Sequence, residues 1–293
     1  FYPGVSKSDA VGMLWRRRFG FSCPTITTLE GLVGGPDREK EYSEWAGHPV
    51  YCQRVSQDEI KRADDLLNSA DHIIAISPFL AAMGRRRYGD KFSVTPLGID
   101  TDIFFPPITC RKRRRLRVVS AGTFQKGKRP DLFLELAKQH PSVDFVWFGE
   151  GGDQLDVLLK SIMGGKIKNV SLPGAVLPRD LASEFRNSDL FVMPSQAEGV
   201  PKVIQEAAAC GLPIVNFGYY GAPTVVDGKN GYVVWSDEDF FFKVRELLQS
   251  PSLMEEMGRE GARVAKEFNW EAVSQLWFDQ VEKFVPRGET VKH

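Results

Sequence analysis

"SDLFVMPSQAEGVPKVIQEAAACGLPIV" (residues 188–215) joins a short apolar strand, an acidic loop and a helix opened by a proline. "LFVMPS" (190–195) reads as a buried strand and "PKVIQEAAACG" (201–211) as a helix. Pro201 suits the first helical position, where its missing N–H would have had no partner anyway. The loop between them lies at the carboxyl end of the strand, the edge where open parallel sheets hold ligands. Free amides in the first turn of the helix form an anion site suited to phosphate. Glu198 precedes that turn, and Glu206 lies five residues beyond Pro201, or roughly 7–8 Å along the axis. A diphosphate over the helix start would then have one carboxylate towards each end. Carboxylates suit vicinal diols, so ribose would lie at one end and a sugar ring at the other. Gly199 leaves the backbone open to close approach, and Ala207, Ala208 and Ala209 let the helix pack tightly on a sheet. An ordinary amphipathic helix would also carry two glutamates; the strand–loop–helix setting favours the ligand.

Outward from this unit, strands and helices alternate in both directions. Upstream come strand "LRVVSAGTF" (116–124), helix 129–140, strand "VDFVWFGEG" (143–151), a helix near 153–163, strand "VSLPG" (170–174) and helix 178–188. Downstream are "PIVNFG" (213–218), "GYVVW" (231–235) and helices over most of 237–285. The first part of the chain shows the same rhythm. Strand 24–29 is followed by a helix over 56–71 with Ser56 and Glu59 as a capping box, strand 72–77, helix 78–89 and strand 92–100. Short continuous apolar strands alternating with helices predict parallel sheets covered on both faces. The fold class expected is α/β, with two Rossmann-like doubly wound domains facing a cleft.

The proline-containing stretch "DIFFPPITCRKRRR" (102–115) predicts the boundary. Residues 1–108 would be the acceptor-side domain and 109–270 the donor-binding domain. A helix over 271–285 would pack back towards the first domain, with 286–293 a tail. The chain opens "FYPGVSKSDAVG", which reads as a strand end entering a loop, and the first domain is short by the norms of such folds. A missing beginning is expected.

Other loops at the same sheet edge supply matching parts. In "AGTFQKGKRP" (121–130), Gly122 and Gly127 permit a tight turn, and Lys126 is a flexible charge suited to a diphosphate. Lys128 and Arg129 either assist or face water. "PGAVLPRD" (173–180) places Gly174, Ala175 and Val176 at a strand end, where backbone groups can read a flat base. The loop of "GYYGAPTVVDGKNGYVV" (218–234) closes over the same edge.

Composition narrows the partners. The 293 residues carry 38 basic and 38 acidic side chains, so no global field favours nucleic acid or a membrane. Arginine clusters at 16–18, 85–87 and 111–115 are either solvated faces or contacts to an anionic surface. "RKRRRLR" (111–117) lacks the interleaved aromatics of a nucleic-acid site. Cys23, Cys52, Cys110 and Cys210 form no CxxC pair, which predicts neither disulfide nor zinc and fits a reducing cytoplasm. His48, His72, His140 and His293 have no triad-like or metal-like spacing.

Taken in order, "ADHIIAIS" (70–77), "VTPLGIDTDIFFP" (94–106), "SAGTFQKGKRPDLFLELA" (120–137), the 188–215 segment and "VVDGKNGYVV" (225–234) resemble the family 4 retaining glycosyltransferases of GT-B fold. The resemblance covers most of 70–285. It implies that the second domain holds a UDP- or GDP-linked sugar, with Glu206 on the ribose and Glu198 on the hydroxyls of the transferred sugar. Lys126 and the amides around Gly199, Val200, Pro201 and Lys202 would hold the diphosphate, and Ala175 and Val176 would contact the base. It further implies retention of configuration, no required metal or cofactor, and electrostatic stabilisation of the leaving nucleoside diphosphate.

Two residues depart from the pattern. Thr123 stands where the family usually has arginine, so one diphosphate contact is either absent or supplied by Lys128 or Arg129. Glu30 in "TTLEG" (27–31) stands where a histidine is common; it either orients the sugar or acceptor or caps the following segment. Glu198, Lys126 and Glu30 are the expected catalytic set. The expected acceptor is a glycan or lipid-linked molecule at the inner membrane face, met peripherally through the basic patches Arg16–Arg18 or Arg111–Arg115. The alternative is a nucleotide-sugar-binding protein of the same fold without catalysis.

Overall fold

The computed structural model describes residues 24–53, 55–108, 115–164 and 167–284. The chain divides into two compact units, one running to Gly98 and taking in the segment from Glu271, the other Ile99–Trp270. The division precedes the proline stretch because that stretch belongs to the second unit's core. Ile99 donates to the Phe268 carbonyl at 2.7 Å, Phe104 packs on Phe185, and Arg186 lies over the Phe105 ring while donating to Ile103.

In the first unit, β1 (Ile26–Leu29), β2 (His72–Ala75) and β3 (Phe92–Val94) form a parallel sheet in that order. Helices α1 (Pro36–Ala46), α2 (Gln57–Ser69) and α3 (Pro78–Tyr88) accompany it. The Ser56–Glu59 capping box opens α2 as expected. Strand β3 stops at Val94, short of the expected 100; Pro96 beyond it has no N–H for a ladder. Helix α1 was not expected. It fully buries only Tyr42, so its sequence carries little apolar periodicity; Tyr42 packs with Val50, Cys52 and Met83, with Trp45 and Ala46 against them, and ion pairs tie the helix to its neighbours. Arg38 pairs with Asp64 of α2 and Glu41 with Arg87 of α3 at 2.6 Å, while the Tyr88 hydroxyl of α3 donates to the same Asp64 at 2.7 Å.

The second unit is a six-stranded sheet ordered β6-β5-β4-β7-β8-β9, parallel throughout. Its strands are β4 (Arg117–Ala121), β5 (Asp144–Phe148), β6 (Val170–Gly174), β7 (Leu190–Met193), β8 (Ile214–Phe217) and β9 (Gly231–Val234). Helices α4 (Pro130–Gln139), α5 (Leu155–Met163), α6 (Pro178–Arg186), α7 (Lys202–Ala209), α8 (Asp237–Leu248) and α9 (Pro251–Ala265) connect and cover them. Helix α10 (Trp270–Glu282) follows; from Glu271 it belongs to the first unit, where the Trp277 indole donates to the Pro96 carbonyl at 2.9 Å. β4, β7 and β8 are almost wholly buried, the mark of a parallel sheet covered on both faces. Strand order reverses between β4 and β7, which creates a crevice outside their carboxyl ends.

Candidate functional site

That crevice holds a cavity of about 380 Å³. Ala121 and Gly122 enter it from the end of β4, Phe148 and Gly149 from β5, Ala175 and Val176 from β6, and Met193 from β7. Leu181 of α6 adds an apolar wall, and Val200, Pro201, Lys202, Val203 and Glu206 bring in the start of α7.

The rim is built from backbone. The Gly122 amide donates to Phe148 at 2.8 Å, and the Gly149 amide to Gly174 at 3.0 Å. A Cβ on Gly149 would lie 2.0 Å from the Gly122 carbonyl oxygen, and its φ of +151° is a conformation side chains avoid. Three strand ends are thereby laced together at a spacing only glycine allows.

Pro201 is the residue before α7, with φ −73° and ψ 93°, rather than its first helical residue as expected. No side chain caps the helix at Pro201; the Ile204 amide turns back to the Pro201 carbonyl at 2.9 Å, and the amides of Lys202 and Val203 ahead of it favour an anion. The tight fit of the alanines is as expected: Ala207, Ala208 and Ala209 are buried, and Gly258 and Gly261 let α9 approach the end of α7.

The two carboxylates are both in the cavity and differ in environment. Glu206 is partly buried and has no hydrogen-bond partner among the described residues; burial raises its pKa, and Lys202 partly opposes this. Glu198 accepts from Lys128 Nζ at 2.5 Å, and the two side chains are only 11% and 20% exposed. Beneath them Tyr220 is buried, its hydroxyl directed at the Met193 carbonyl 3.4 Å away. Burial first, and Glu198 second, raise the Tyr220 pKa well above the usual phenol value.

The lysines of the first loop exchange their expected places. A 3₁₀ turn at Lys126–Lys128 turns Lys128 into the cavity, whereas Lys126 is exposed and does not line it. The Lys126 backbone is tied instead to Asp153 at 3.1 Å. Arg129 is committed elsewhere: its guanidinium grips Asp237 in two bonds of 2.8 and 3.1 Å. Thr123, Gly174 and Gly199 also lie outside the lining, so of the expected donor set Gly122, Lys128, Ala175, Val176, Glu198, Val200, Pro201, Lys202 and Glu206 are brought together.

Glu30 belongs to the first unit, where Thr28 Oγ1 donates to it at 3.3 Å. It does not cap the next helix, since Gly35 stands at that cap without a side-chain bond. Ala121, Phe148, Gly149, Leu181, Met193 and Val203 line the cavity without having been expected there. "WFGEGG" (147–152), a strand running into glycines, was the available signal for Phe148 and Gly149.

Among the described residues no group of His, Cys, Asp and Glu is arranged to hold a metal, and no helix is long and apolar enough to cross a membrane. Cys52 and Cys210 are buried, while Cys23 and Cys110 lie outside the described residues, as do Arg16–Arg18 and residues 111–114. Arg115 is paired with Asp144 at 2.8 Å. Of the 85–87 cluster, Arg85 pairs with Asp90 and Arg87 with Glu41, and Arg86 lies over Trp45.

The chain is 28% identical over 240 residues to the alpha-galactosylglucosyldiacylglycerol synthase of Streptococcus pneumoniae, covering 75% of this chain and 63% of that one. It is 30% identical over 229 residues to a GDP-mannose-dependent alpha-(1-6)-phosphatidylinositol monomannoside mannosyltransferase of Mycolicibacterium smegmatis, covering 70% and 59%. The chain spans between 45% and 63% of the length of the first curated relatives it matches. Sucrose-phosphate synthase from Thermosynechococcus elongatus superposes with a TM-score of 0.75 at 21% identity, over 92% of this chain and 70% of that one. Anabaena HepE in complex with UDP-glucose gives 0.74 at 16% identity, over 95% and 77%. These likenesses show the GT-B fold, of which the two units are the Rossmann-like halves. Residues 107–264 match the family described as glycosyl transferases group 1, and to that glycosyltransferase family the chain belongs.

Proposed function

We propose that the chain transfers a glycosyl group from a nucleoside-diphosphate sugar to a glycan or lipid-linked acceptor, with retention of configuration. The observation that carries this reading is one cavity holding an uncapped helix start, a lysine and two carboxylates. The diphosphate rests on the first amides of α7 and on Lys128. Glu206 accepts from the ribose hydroxyls, and Glu198 from those of the sugar. The base lies along the backbone of Ala175 and Val176, with Leu181 beside it.

In the reaction the bond from the anomeric carbon to the phosphate oxygen breaks and one to the acceptor oxygen forms, the acceptor's hydroxyl proton passing to the departing diphosphate. The departing diphosphate takes the electron pair, and the helix amides and Lys128 hold that growing charge. Donors already aimed at a developing charge need no reorganisation during the step, and losing one costs about 10²–10³ in rate. No metal enters this scheme. Relatives named for glycolipids support a lipid-linked acceptor and a working place at a membrane surface.

Thr123, standing where the family usually has arginine, favours a second reading in which the nucleotide sugar is bound and not turned over. The test is a donor screen read by mass spectrometry: UDP- and GDP-linked sugars with glycan and glycolipid acceptors. A product mass increased by one sugar supports transfer. Binding of donor without hydrolysis or transfer would select the second reading, and no binding of any nucleotide would reject both.

A further inference from the structure

We infer that the Lys128–Glu198 pair makes the cavity discriminate between a sugar-loaded nucleotide and a spent one; this rests on the donor site proposed above. Nζ and Oε1 are 2.5 Å apart inside the cavity, and neither side chain has another hydrogen-bond partner among the described residues. The two loops that carry them are joined by backbone, since the Gln196 amide donates to Gly127 at 2.9 Å. The Lys128 stem lies over Gly122, close to where a Cβ would be. The pair is thus held between fixed loops rather than lying loose on the surface.

With the cavity empty, each charge neutralises the other. A diphosphate on the α7 amides competes with Glu198 for Lys128, and the stronger, doubly charged acceptor draws the ammonium away. Glu198 is then a largely buried carboxylate without its counter-charge, an expensive state. A loaded donor relieves it, because the sugar's hydroxyls donate to the carboxylate. A bare nucleoside diphosphate brings no such donors. Re-formation of the ion pair therefore opposes retention of the spent nucleotide, and Glu198 acts as a specificity-determining residue on the sugar-loaded state.

The sign of this effect separates it from simple sugar binding. If Glu198 only touched sugar, removing its charge would leave bare nucleotide unaffected. If it competes for Lys128, removing its charge tightens bare nucleotide. Isothermal titration of UDP, GDP, UDP-glucose and GDP-mannose into wild type, Glu198→Gln and Lys128→Gln reads this directly. Glu198→Gln is expected to bind the favoured nucleoside diphosphate roughly tenfold more tightly, with no such gain for its sugar form; Lys128→Gln is expected to weaken both. Glu198→Ala, which also frees Lys128, serves if the glutamine variant does not fold. Unchanged or weaker nucleoside diphosphate binding in folded Glu198 variants overturns the inference and leaves the donor site standing. Failure of all four ligands to bind any of the proteins overturns both.

Discussion

The indole Nε1 of Trp147 donates to the carbonyl of Gly122 at 2.9 Å, clamping the turn that leaves β4 for the cavity. The ring is buried, with Phe124 and Phe133 against it at 5.6 and 5.1 Å. Because a trans peptide points its N–H opposite to its C=O, this bond also sets the direction of the Thr123 amide. Trp147→Phe keeps an aromatic ring against Phe133 but removes the donor and leaves a small void in the core. It is expected to cost roughly 1–2 kcal/mol of stability and to weaken nucleotide binding several-fold, measured by denaturant unfolding and titration calorimetry. Equal nucleotide affinity would show that the Gly122 turn holds without the indole.

Glu206 links stability and ligand binding in opposite directions. Burial raises its folded-state pKa above the ordinary 4.5, so the folded protein retains this proton to higher pH than the unfolded chain. Its contribution to stability is full below the unfolded value and is lost as pH rises through the folded one. Glu206→Gln should therefore match wild type in acid and be more stable near pH 7, read by thermal unfolding across pH. The same variant loses an ionised acceptor for the ribose and should bind nucleotide about 10–100-fold more weakly.

Lys126 and Lys128 are two residues apart and are expected to behave differently. Lys128→Ala removes a cavity charge and should lower kcat/KM by about 10²-fold or more. Lys126→Ala removes an exposed one and should change it by no more than roughly threefold, with the effect fading in high salt. Steady-state kinetics at two ionic strengths measures both.

Arg129 holds a left-handed backbone, φ 52° and ψ 50°, between the 3₁₀ turn and α4. Its two-pronged grip on Asp237 anchors that conformation to the start of α8. Lysine cannot reproduce a fork of two parallel bonds, so Arg129→Lys should cost about 1 kcal/mol in urea unfolding. Nucleotide affinity should stay within about twofold, because this guanidinium does not reach the cavity.

Local rules in the sequence determined the alternation of strands and helices, the Ser56 capping box, and the placing of Glu198 and Glu206 around the start of α7. Those features depend on neighbours a few residues apart, which any reading of the chain can see. Tertiary structure alone decided that Lys128 rather than Lys126 enters the cavity: both lie in "KGK" (126–128), and the direction of a turn chooses between them. It also decided that Arg129 belongs to Asp237, 108 residues away. Phe148 and Gly149 became part of the site only because β5 lies beside β4, and α1 is held by Tyr42 packing on Val50, Cys52 and Met83 together with ion pairs to α2 and α3. Contacts between distant segments have no signature in the spacing of adjacent residues, so they waited on the packed sheet.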